Sequence, residues 1–485
     1  MKNLHLIIII FYFSFLLLLA PFNLLSFDTY YYWEWSRHLD ISYYDGSPMI
    51  AYFIKLSTLF FGDTLFALSL VGIVSAALTS WLIYKTALFF LSKEASYIAM
   101  LLWLFSPLMT IDILKQTTYD TPLALFWALT LYFAVRFIKS NNMKDLYWVG
   151  ASIGLMMLSK YSGVVLVLSL LIFLLTTPYR YLFKTLHFYL VLLLAMVIFS
   201  PVIIWNEQHA WQSFVYQLTT HTLKDSVNPM IRAIKSFFGI FLPSLNFMLI
   251  TPFLYQLTHG RTAMQSSELS QSSDKFIPKV AKKAMIIRLC MVICITFLGF
   301  YLFTATKATI RAFWLTPYLI SCALLGGFCF QAGYLRKSTF LLIAIYGIVS
   351  FGILINNTYY YCLITPKKLV YYRMMQQFNA SYPLLPKTIL TANWSEARVL
   401  FFLKNKPYVY TLGCDSLENQ YALWSTDIVQ KIKNNTLKEA VYIDLYNRVD
   451  CAEKYFDQCV RLPLPSASYR KENIAIYAYK CTNFK

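Results

Sequence analysis

Apolar residues in this chain fall in long uninterrupted runs, without the alternation of a half-buried strand or the spacing of an amphipathic helix. About 20 apolar residues are enough to cross a bilayer as an α-helix, so the runs predict a polytopic α-helical membrane protein. We predict about eleven spans, and thirteen at most. They lie near residues 5–25, 64–90, 96–113, 121–138, 146–158, 162–177, 187–205, 233–257, 286–304, 313–333 and 339–357.

Basic residues between the runs indicate how the chain is oriented. Lys2 and the run that follows it predict an uncleaved anchor that starts in the cytoplasm. With that start the positive-inside rule is satisfied, and the internal segment 259–288 alone holds six Lys and Arg residues against two acids. The external loops are then 26–63, 113–120, 158–163, 206–232 and 305–312.

Composition supports a membrane protein and limits what the positive charge can mean. Hydrophobic residues make up 58% of the 485 positions and charged residues 13%, and the formal net charge is +19 at pH 7. A basic chain can bind nucleic acid, but here the Lys and Arg residues lie beside apolar runs and in short loops. We therefore expect membrane lipids, and no nucleic acid, among the partners.

The last part of the chain has a different character. An odd number of spans leaves residues 358–485 outside the membrane, as a domain separate from a transmembrane domain at 1–357. Runs such as "KPYVYTL" and "AVYIDLY" indicate short strands, and "SEARVLFFLKN" has helical spacing. We predict a small soluble α/β or α+β domain.

Cys362 stands beside the last predicted span, and four cysteines lie further inside this predicted domain, where an even number outside the membrane favours disulfides. Four cysteines allow three connectivities. Our first choice pairs Cys451 with Cys459, while Cys414 and Cys481 complete the set. The other five cysteines lie in or beside the predicted spans, where we expect them to pack as small apolar residues.

Unusual ionisable residues gather on the external side of the predicted membrane domain. Asp28 opens the first external loop, Asp120 precedes the fourth span, and Lys160 lies in a short external turn. Ionisable groups at a membrane boundary are costly unless they are solvated or paired, so all three are functional candidates. The alternative is that the two carboxylates only solvate helix ends.

Several stretches resemble a known family in the same order along the chain. "FDTYYYWEWSRHLDISYYDGSPMIAY" (27–52) resembles the first external loop of membrane glycosyltransferases of the C-type fold, the group of dolichyl-phosphate-mannose protein mannosyltransferases and bacterial lipid A aminoarabinose transferases. Thr29 stands where that group has Glu, and Gly46 where the aminoarabinose transferases have Lys. Further matches are "YDTPLALFWALTLYF", "GLMMLSKYSGVVLV", "SPVIIWNEQHAWQSF", "RAFWLTPYL", "ARVLFFLKNKPYVYTL" and "NQYALW".

The resemblance implies a site at the external face, with loop 26–63 as its catalytic loop. The donor would be a sugar on a polyprenyl phosphate, whose anionic head needs cations at the membrane surface. Lys160, Lys307 and Arg311 are placed for that task, although each could instead extend to a lipid phosphate. Asp28 and Asp120 are the catalytic candidates, with Asp28 as base for a hydroxyl acceptor. The expected cavity lining is Tyr43, Tyr44, Tyr119 and Tyr161.

The resemblance also implies a divalent metal ion as one alternative, held by Asp45 and His221. One carboxylate and one imidazole are fewer ligands than stable zinc sites have, and ordinary loop residues are the other interpretation. We further expect the Tyr and Trp residues of the first loop to form interfacial helices on the outer leaflet, which would direct Asp28 and Asp45 into the cavity.

These features favour an inverting glycosyltransferase of the bacterial inner membrane. It would move a sugar from polyprenyl (undecaprenyl) phosphate to lipid A or another envelope glycolipid at the periplasmic face. Transfer to protein Ser/Thr is the second choice. A flippase for lipid-linked sugars would instead show charges through the membrane midplane and two repeated halves. A non-catalytic scaffold would tolerate loss of both aspartates. Neither the sugar nor the acceptor follows from the sequence.

Overall fold

The computed structural model shows a helical membrane domain followed by a C-terminal domain built on a β-sheet. It describes residues 4–106, 108–109, 117–219, 228–236, 279–308, 310–333, 343, 345–350, 352, 367–383, 388–392, 401–414, 419–434, 439–445, 447–463, 467–469, 472–474 and 476–484.

Sixteen α-helices are described. They are α1 Leu4–Leu19, α2 Phe27–Arg37, α3 Met49–Phe61, α4 Leu65–Ala87, α5 Lys93–Leu104, α6 Asp120–Ser140, α7 Met143–Met157, α8 Val164–Leu175, α9 Leu186–Gln208, α10 Gln212–Thr219, α11 Pro229–Ser236, α12 Lys279–Ala305, α13 Thr316–Gln331, α14 Lys367–Ser381, α15 Gln420–Lys433 and α16 Val449–Glu453.

The described helices include fewer clear spans than the eleven expected. Four are long and apolar enough to cross a membrane: α4, α6, α9 and most of α12. Two bent pairs raise the number to six if each is one span, namely Ile7–Phe22 with Phe27–Arg37, bent by 79°, and Tyr161–Leu175 with Pro178–Lys184, bent by 105°. Much of the predicted spans at 233–257 and 339–357 lies outside the described residues.

Small residues let the helices of the membrane domain approach closely. A Cβ added at Gly150 of α7 would lie 2.6 Å from the Val191 carbonyl oxygen of α9, and one at Gly154 would lie 2.6 Å from Ile198 Cβ. Glycines four residues apart on one helix face are a common way to bring two helix backbones together in membranes. This packing fixes the end of α7, from which the chain leads directly to Lys160.

The C-terminal domain has a mixed five-stranded sheet in the order β2-β1-β3-β7-β4. β1 is parallel to both β2 and β3, whereas β7 is antiparallel to β3 and β4. The runs "KPYVYTL" and "AVYIDLY" supply β2 and β3, so these strand predictions are confirmed. The strands are β1 Thr388–Thr391, β2 Tyr408–Thr411, β3 Glu439–Asp444, β4 Phe456–Leu462, β5 Ala467–Tyr469, β6 Glu472–Ile474 and β7 Tyr477–Phe484.

The predicted disulfide between Cys451 and Cys459 is wrong. Cys459 of β4 lies directly opposite Cys481 of β7 in the antiparallel register and is bonded to it, with 4.1 Å between the Cα atoms. Cys451 of α16 is bonded instead to Cys414, which follows β2, with 6.0 Å between the Cα atoms. Strand pairing, rather than closeness in sequence, decides which thiols meet.

The aromatic run of the first loop does form a helix, α2, but its rings are covered by protein. Tyr30, Tyr32, Trp33 and Trp35 are all at most 6% exposed. The C-terminal domain supplies part of this cover, because Phe401 joins the same apolar cluster. The expected helix is therefore present, but these four rings pack against protein and are not open to lipid.

Candidate active site

A buried ion pair joins two of the candidates predicted from the sequence. Lys160 Nζ lies 2.6 Å from Asp120 Oδ1. The Asp120 residue is fully buried, and the Lys160 side chain is 16% exposed. The same ammonium lies 4.5 Å from the ring centre of Tyr119 and 5.2 Å from that of Trp314, so two aromatic faces add cation–π attraction.

Local sequence explains how both partners are placed. Asp120 is the first residue of α6, its N–H donates to Thr118 Oγ1 over 3.3 Å, and Pro122 in the first turn needs no N–H partner. A helix N-terminus also favours a negative charge. Lys160 follows α7 in an extended conformation, which turns the chain into the short 3₁₀ helix Tyr161–Gly163.

Asp28 is the exposed member of the cluster. It lies in the first turn of α2, so it too benefits from a helix N-terminus. Burial first, and then the charges of Asp120 and Asp28, raise the pKa of the Tyr119 phenol. Burial and nearby carboxylates that include Asp28 likewise raise the pKa of Tyr216. The charge of Asp28 thus acts on the surroundings of the ion pair while its own side chain is open to solvent.

Thr29, which stands where the resembling group has Glu, has a structural task here. It is fully buried, and its Oγ1 accepts a hydrogen bond of 3.1 Å from the N–H of Thr117. Thr117 Oγ1 in turn donates to the Leu68 carbonyl over 2.8 Å. Thr29 therefore connects the start of α2 to the segment that leads into α6. This connection fixes the position of Asp28 relative to Asp120.

Asp45 lies in a different environment from the one that a metal would need. Its carboxylate accepts hydrogen bonds from the Tyr31 and Tyr216 hydroxyls, and the N–H of Gln420, which donates to the Tyr31 hydroxyl, lowers its pKa as well. Burial raises its pKa to about 6, against the lowering effect of these donors. Within the described part of the chain no three His, Cys, Asp or Glu residues come together as metal ligands, and His221 lies outside it. The described neighbours of Asp45 are donors, which do not fit a cation.

The four tyrosines expected to line a cavity differ in their surroundings. Tyr119 faces Lys160, and the half-buried Tyr161 shares a hydrogen bond of 2.9 Å with Ser213. The ring of Tyr44 contacts that of Tyr216 with 5.3 Å between centres.

Tyr43 is a packing residue. It is fully buried, its ring stacks on Trp35 at 4.1 Å, and its hydroxyl donates to the carbonyls of Trp35 and His38, each over 3.0 Å. The same hydroxyl accepts from the N–H of Asp40 over 3.1 Å. Tyr43 therefore shapes the loop from inside rather than lining an open cavity.

The two remaining candidate cations lie on the segment that also carries Trp314. Lys307 and Arg311 are exposed, and Lys307 Nζ lies 4.8 Å from the ring centre of Phe303. The Arg311 carbonyl accepts a hydrogen bond of 3.0 Å from the N–H of Trp314. The turn that exposes Arg311 therefore also places the Trp314 ring over Lys160. Of the three expected cations, Lys160 is the one held inside the cluster.

Known proteins share this architecture. Residues 45–205 match the family model described as dolichyl-phosphate-mannose-protein mannosyltransferase, and a comparison with curated proteins finds no match. ArnT from Cupriavidus metallidurans bound to undecaprenyl phosphate superposes with a TM-score of 0.66 at 13% identity, covering 99% of this chain and 98% of that one. The chain has the C-type fold of membrane glycosyltransferases.

Two further structures are consistent with this fold. ArnT in the apo state gives a TM-score of 0.63 at 13% identity over 97% of each chain. The oligosaccharyltransferase AglB from Archaeoglobus fulgidus, in complex with an inhibitory peptide and a dolichol-phosphate, gives 0.51 at 12% identity, covering 98% of this chain and 74% of that one. These similarities confirm the predicted C-type fold, and the mannosyltransferase family model matches residues 45–205 of the chain.

The residues around Asp45 carry no signal in the sequence that marks them as a group. Tyr31, Tyr216 and Gln420 come from three distant parts of the chain. One signal was present, because Gln420 lies in "NQYALW", one of the stretches that carry the resemblance. A polar residue at the start of a helix in a remote domain gives no hint by itself of where it docks.

Proposed function

We propose that this protein transfers a sugar from a polyprenyl-phosphate carrier to an acceptor at the external face of a membrane. The observation that carries the proposal is the ion pair between Lys160 and the buried Asp120, together with the exposed carboxylate of Asp28, whose charge acts on Asp120. Two structures of similar fold support the donor class, because one holds undecaprenyl phosphate and the other a dolichol-phosphate.

In the proposed reaction the acceptor oxygen attacks the anomeric carbon of the sugar. The bond from that carbon to the acceptor oxygen forms while the bond to the phosphate oxygen breaks, and polyprenyl phosphate leaves with the bonding electrons. Asp28 takes the proton of a hydroxyl acceptor. A single displacement of this kind inverts the anomeric centre. The leaving phosphate is already ionised, so a general acid is less necessary than in a glycosidase.

The charges of the cluster define what each cation does. Asp28, Asp120 and Lys160 sum to −1, which by itself repels a phosphate. Lys307 and Arg311 are exposed and supply two positive charges on the neighbouring segment, where they bind the donor phosphate. Lys160, fixed by Asp120, stabilises the charge that builds up on the leaving oxygen.

The acceptor that we favour is lipid A or another envelope glycolipid at the periplasmic face of a bacterial inner membrane. The similarity of the whole fold to ArnT supports a bacterial enzyme of this kind. Protein Ser/Thr is a second candidate acceptor, which the mannosyltransferase family match over residues 45–205 favours. Both acceptors present a hydroxyl or phosphate oxygen, so the same cluster serves either.

Purified protein in lipid nanodiscs tests the proposal. It is given undecaprenyl phosphate carrying a radiolabelled hexose or aminosugar, together with lipid A or a Ser/Thr-rich peptide. We expect label on lipid A, and none when Asp28→Asn is used in equal amount. Label on the peptide instead would favour the second acceptor. Absence of transfer from every carrier to both acceptors would contradict the proposed function.

A further inference from the structure

The C-terminal domain rests directly on α2, the helix that carries Asp28. Ring contacts cover most of its length, with 4.8 Å between the ring centres of Tyr30 and Phe401, 5.4 Å between Tyr31 and Tyr421, and 4.6 Å between His38 and Trp424. The helix is thus held between the membrane domain and the C-terminal domain. Its placement depends on both.

Arg37, at the end of α2, supplies a polar anchor. Its guanidinium pairs with the buried Glu34 carboxylate at 3.0 Å and donates to the carbonyls of Lys406 and Pro407 over 2.6 and 2.9 Å. It also lies 4.4 Å from the ring centre of Tyr408. A guanidinium fills this role well because its planar donors reach several acceptors at once.

Gln420 supplies a second anchor, at the turn that holds Asp45. It is 2% exposed and is the first residue of α15. Its Oε1 accepts the N–H of Tyr44 over 2.6 Å. Its own N–H donates to the Tyr31 hydroxyl over 3.1 Å, and that hydroxyl donates to the Asp45 carboxylate. One residue of the C-terminal domain therefore contacts both α2 and the loop after it.

This junction borders the proposed active site. Tyr216 contributes a hydrogen bond to Asp45, and the charges of both Asp45 and Asp28 act on its phenol. Gln217 Nε2 donates to the Asp45 carbonyl over 2.6 Å, so α10 is joined to the same turn. The turn thus connects the first loop, α10 and the C-terminal domain beside Asp28.

We infer that the proposed transferase needs its C-terminal domain for activity. Gln420 is a positioning residue, which holds the Tyr44–Asp45 turn and Tyr31 in place beside Asp28. This inference rests on the proposed function. Gln420 touches neither reacting group in our account, and acts through Tyr31 and Tyr44. Because Arg37 still holds the far end of α2, loss of Gln420 releases the turn without undocking the domain.

The test compares Gln420→Met with Gln430→Met, an exposed glutamine on the same helix. Methionine keeps the length of the side chain but removes the acceptor for the Tyr44 N–H. We expect hydrogen exchange in the peptide 41–48 to become about tenfold faster in Gln420→Met only. We expect kcat for sugar transfer to fall about tenfold, with the donor KM changed less than about twofold. Gln430→Met should match the wild type.

Tyr31→Phe is the second variant, because it keeps the ring against Tyr421 and removes only the hydroxyl between Gln420 and Asp45. It should show the same loss of kcat with undecaprenyl phosphate binding retained. Faster exchange with unchanged kcat in both variants would overturn the inference and leave the proposed function intact. A wild-type protein that binds undecaprenyl phosphate but transfers no sugar would contradict the proposed function and the inference together.

Discussion

Lys160 Nζ donates to Asp120 Oδ1 over 2.6 Å across forty positions of sequence. The contact joins the start of α6 to the turn after α7, and it places a half-buried cation against a fully buried carboxylate on which the charge of Asp28 also acts. Two opposite charges out of water attract strongly, but each alone would be costly. The pair therefore matters for the stability of the protein and for the chemistry that we propose.

Replacement of Lys160 alone should lower both the stability of the protein and its activity. We expect Lys160→Met to lower the free energy of unfolding by about 3–5 kcal/mol, because the Asp120 carboxylate is left buried without its cation. Sugar transfer should be lost. The double variant Asp120→Asn with Lys160→Met should recover most of the thermal stability and none of the activity. Recovery of activity in the double variant would contradict the role given to Lys160.

The exposed cations should affect donor binding and little else. A hydrogen bond to a charged group contributes about 1.5–3 kcal/mol, so Lys307→Gln or Arg311→Gln should raise the donor KM about tenfold or more. Both side chains are exposed, and we expect the melting temperature to stay unchanged. Steady-state kinetics at two ionic strengths check this, since added salt should weaken donor binding in the wild type more than in either variant. Equal KM values in all three proteins would remove both residues from the site.

Asp45 should make stability depend on pH in a particular direction. Its carboxyl pKa is raised by burial from 3.8 to about 6, so between these values the folded protein binds more protons than the unfolded chain. Protonated Asp45 therefore contributes at most about 3 kcal/mol to the free energy of unfolding. This contribution is fully present below about pH 3.8 and is lost as pH rises through about 6. Thermal unfolding of wild type and Asp45→Asn at pH 4.5 and 6.5 measures the difference. Identical pH slopes would contradict this account.

The two disulfides should each stabilise the C-terminal domain. Their sequence separations of 37 and 22 residues correspond to about 3–4 kcal/mol of loop-closure entropy. Cys414→Ser and Cys481→Ser should therefore each lower the melting temperature of the domain. A peptide map without reducing agent should recover Cys414 linked to Cys451 and Cys459 linked to Cys481. A peptide that links Cys451 to Cys459 would contradict the observed pairing.

The sequence predicted the membrane domain, the sheet domain and the family resemblance because those signals are local. Apolar runs predict helices, and "KPYVYTL" and "AVYIDLY" predict strands, without knowledge of what packs against them in the fold. The number of spans was harder, because a run such as 5–25 does not reveal that a bend of 79° follows it. The periplasmic placement of the C-terminal domain stays a prediction.

The site was predictable only in part, for a related reason. Asp28, Asp120 and Lys160 were visible because charge is rare beside apolar runs, and the structure brings them together. Tyr43 was expected in a cavity and is packed, since a Tyr-rich run does not say which rings a second domain will cover. The contacts of Gln420 depend on docking between distant parts of the chain, which no local pattern encodes.

Mass spectrometry of lipid A and envelope glycolipids tests the central claim most directly. The cells compared carry the intact gene, a deletion, or Asp28→Asn expressed at an equal level. We expect a mass the size of a hexose or an aminosugar to be present with the intact gene and absent from both the deletion and the Asp28→Asn cells. The same glycolipid profile in all three strains would contradict the account.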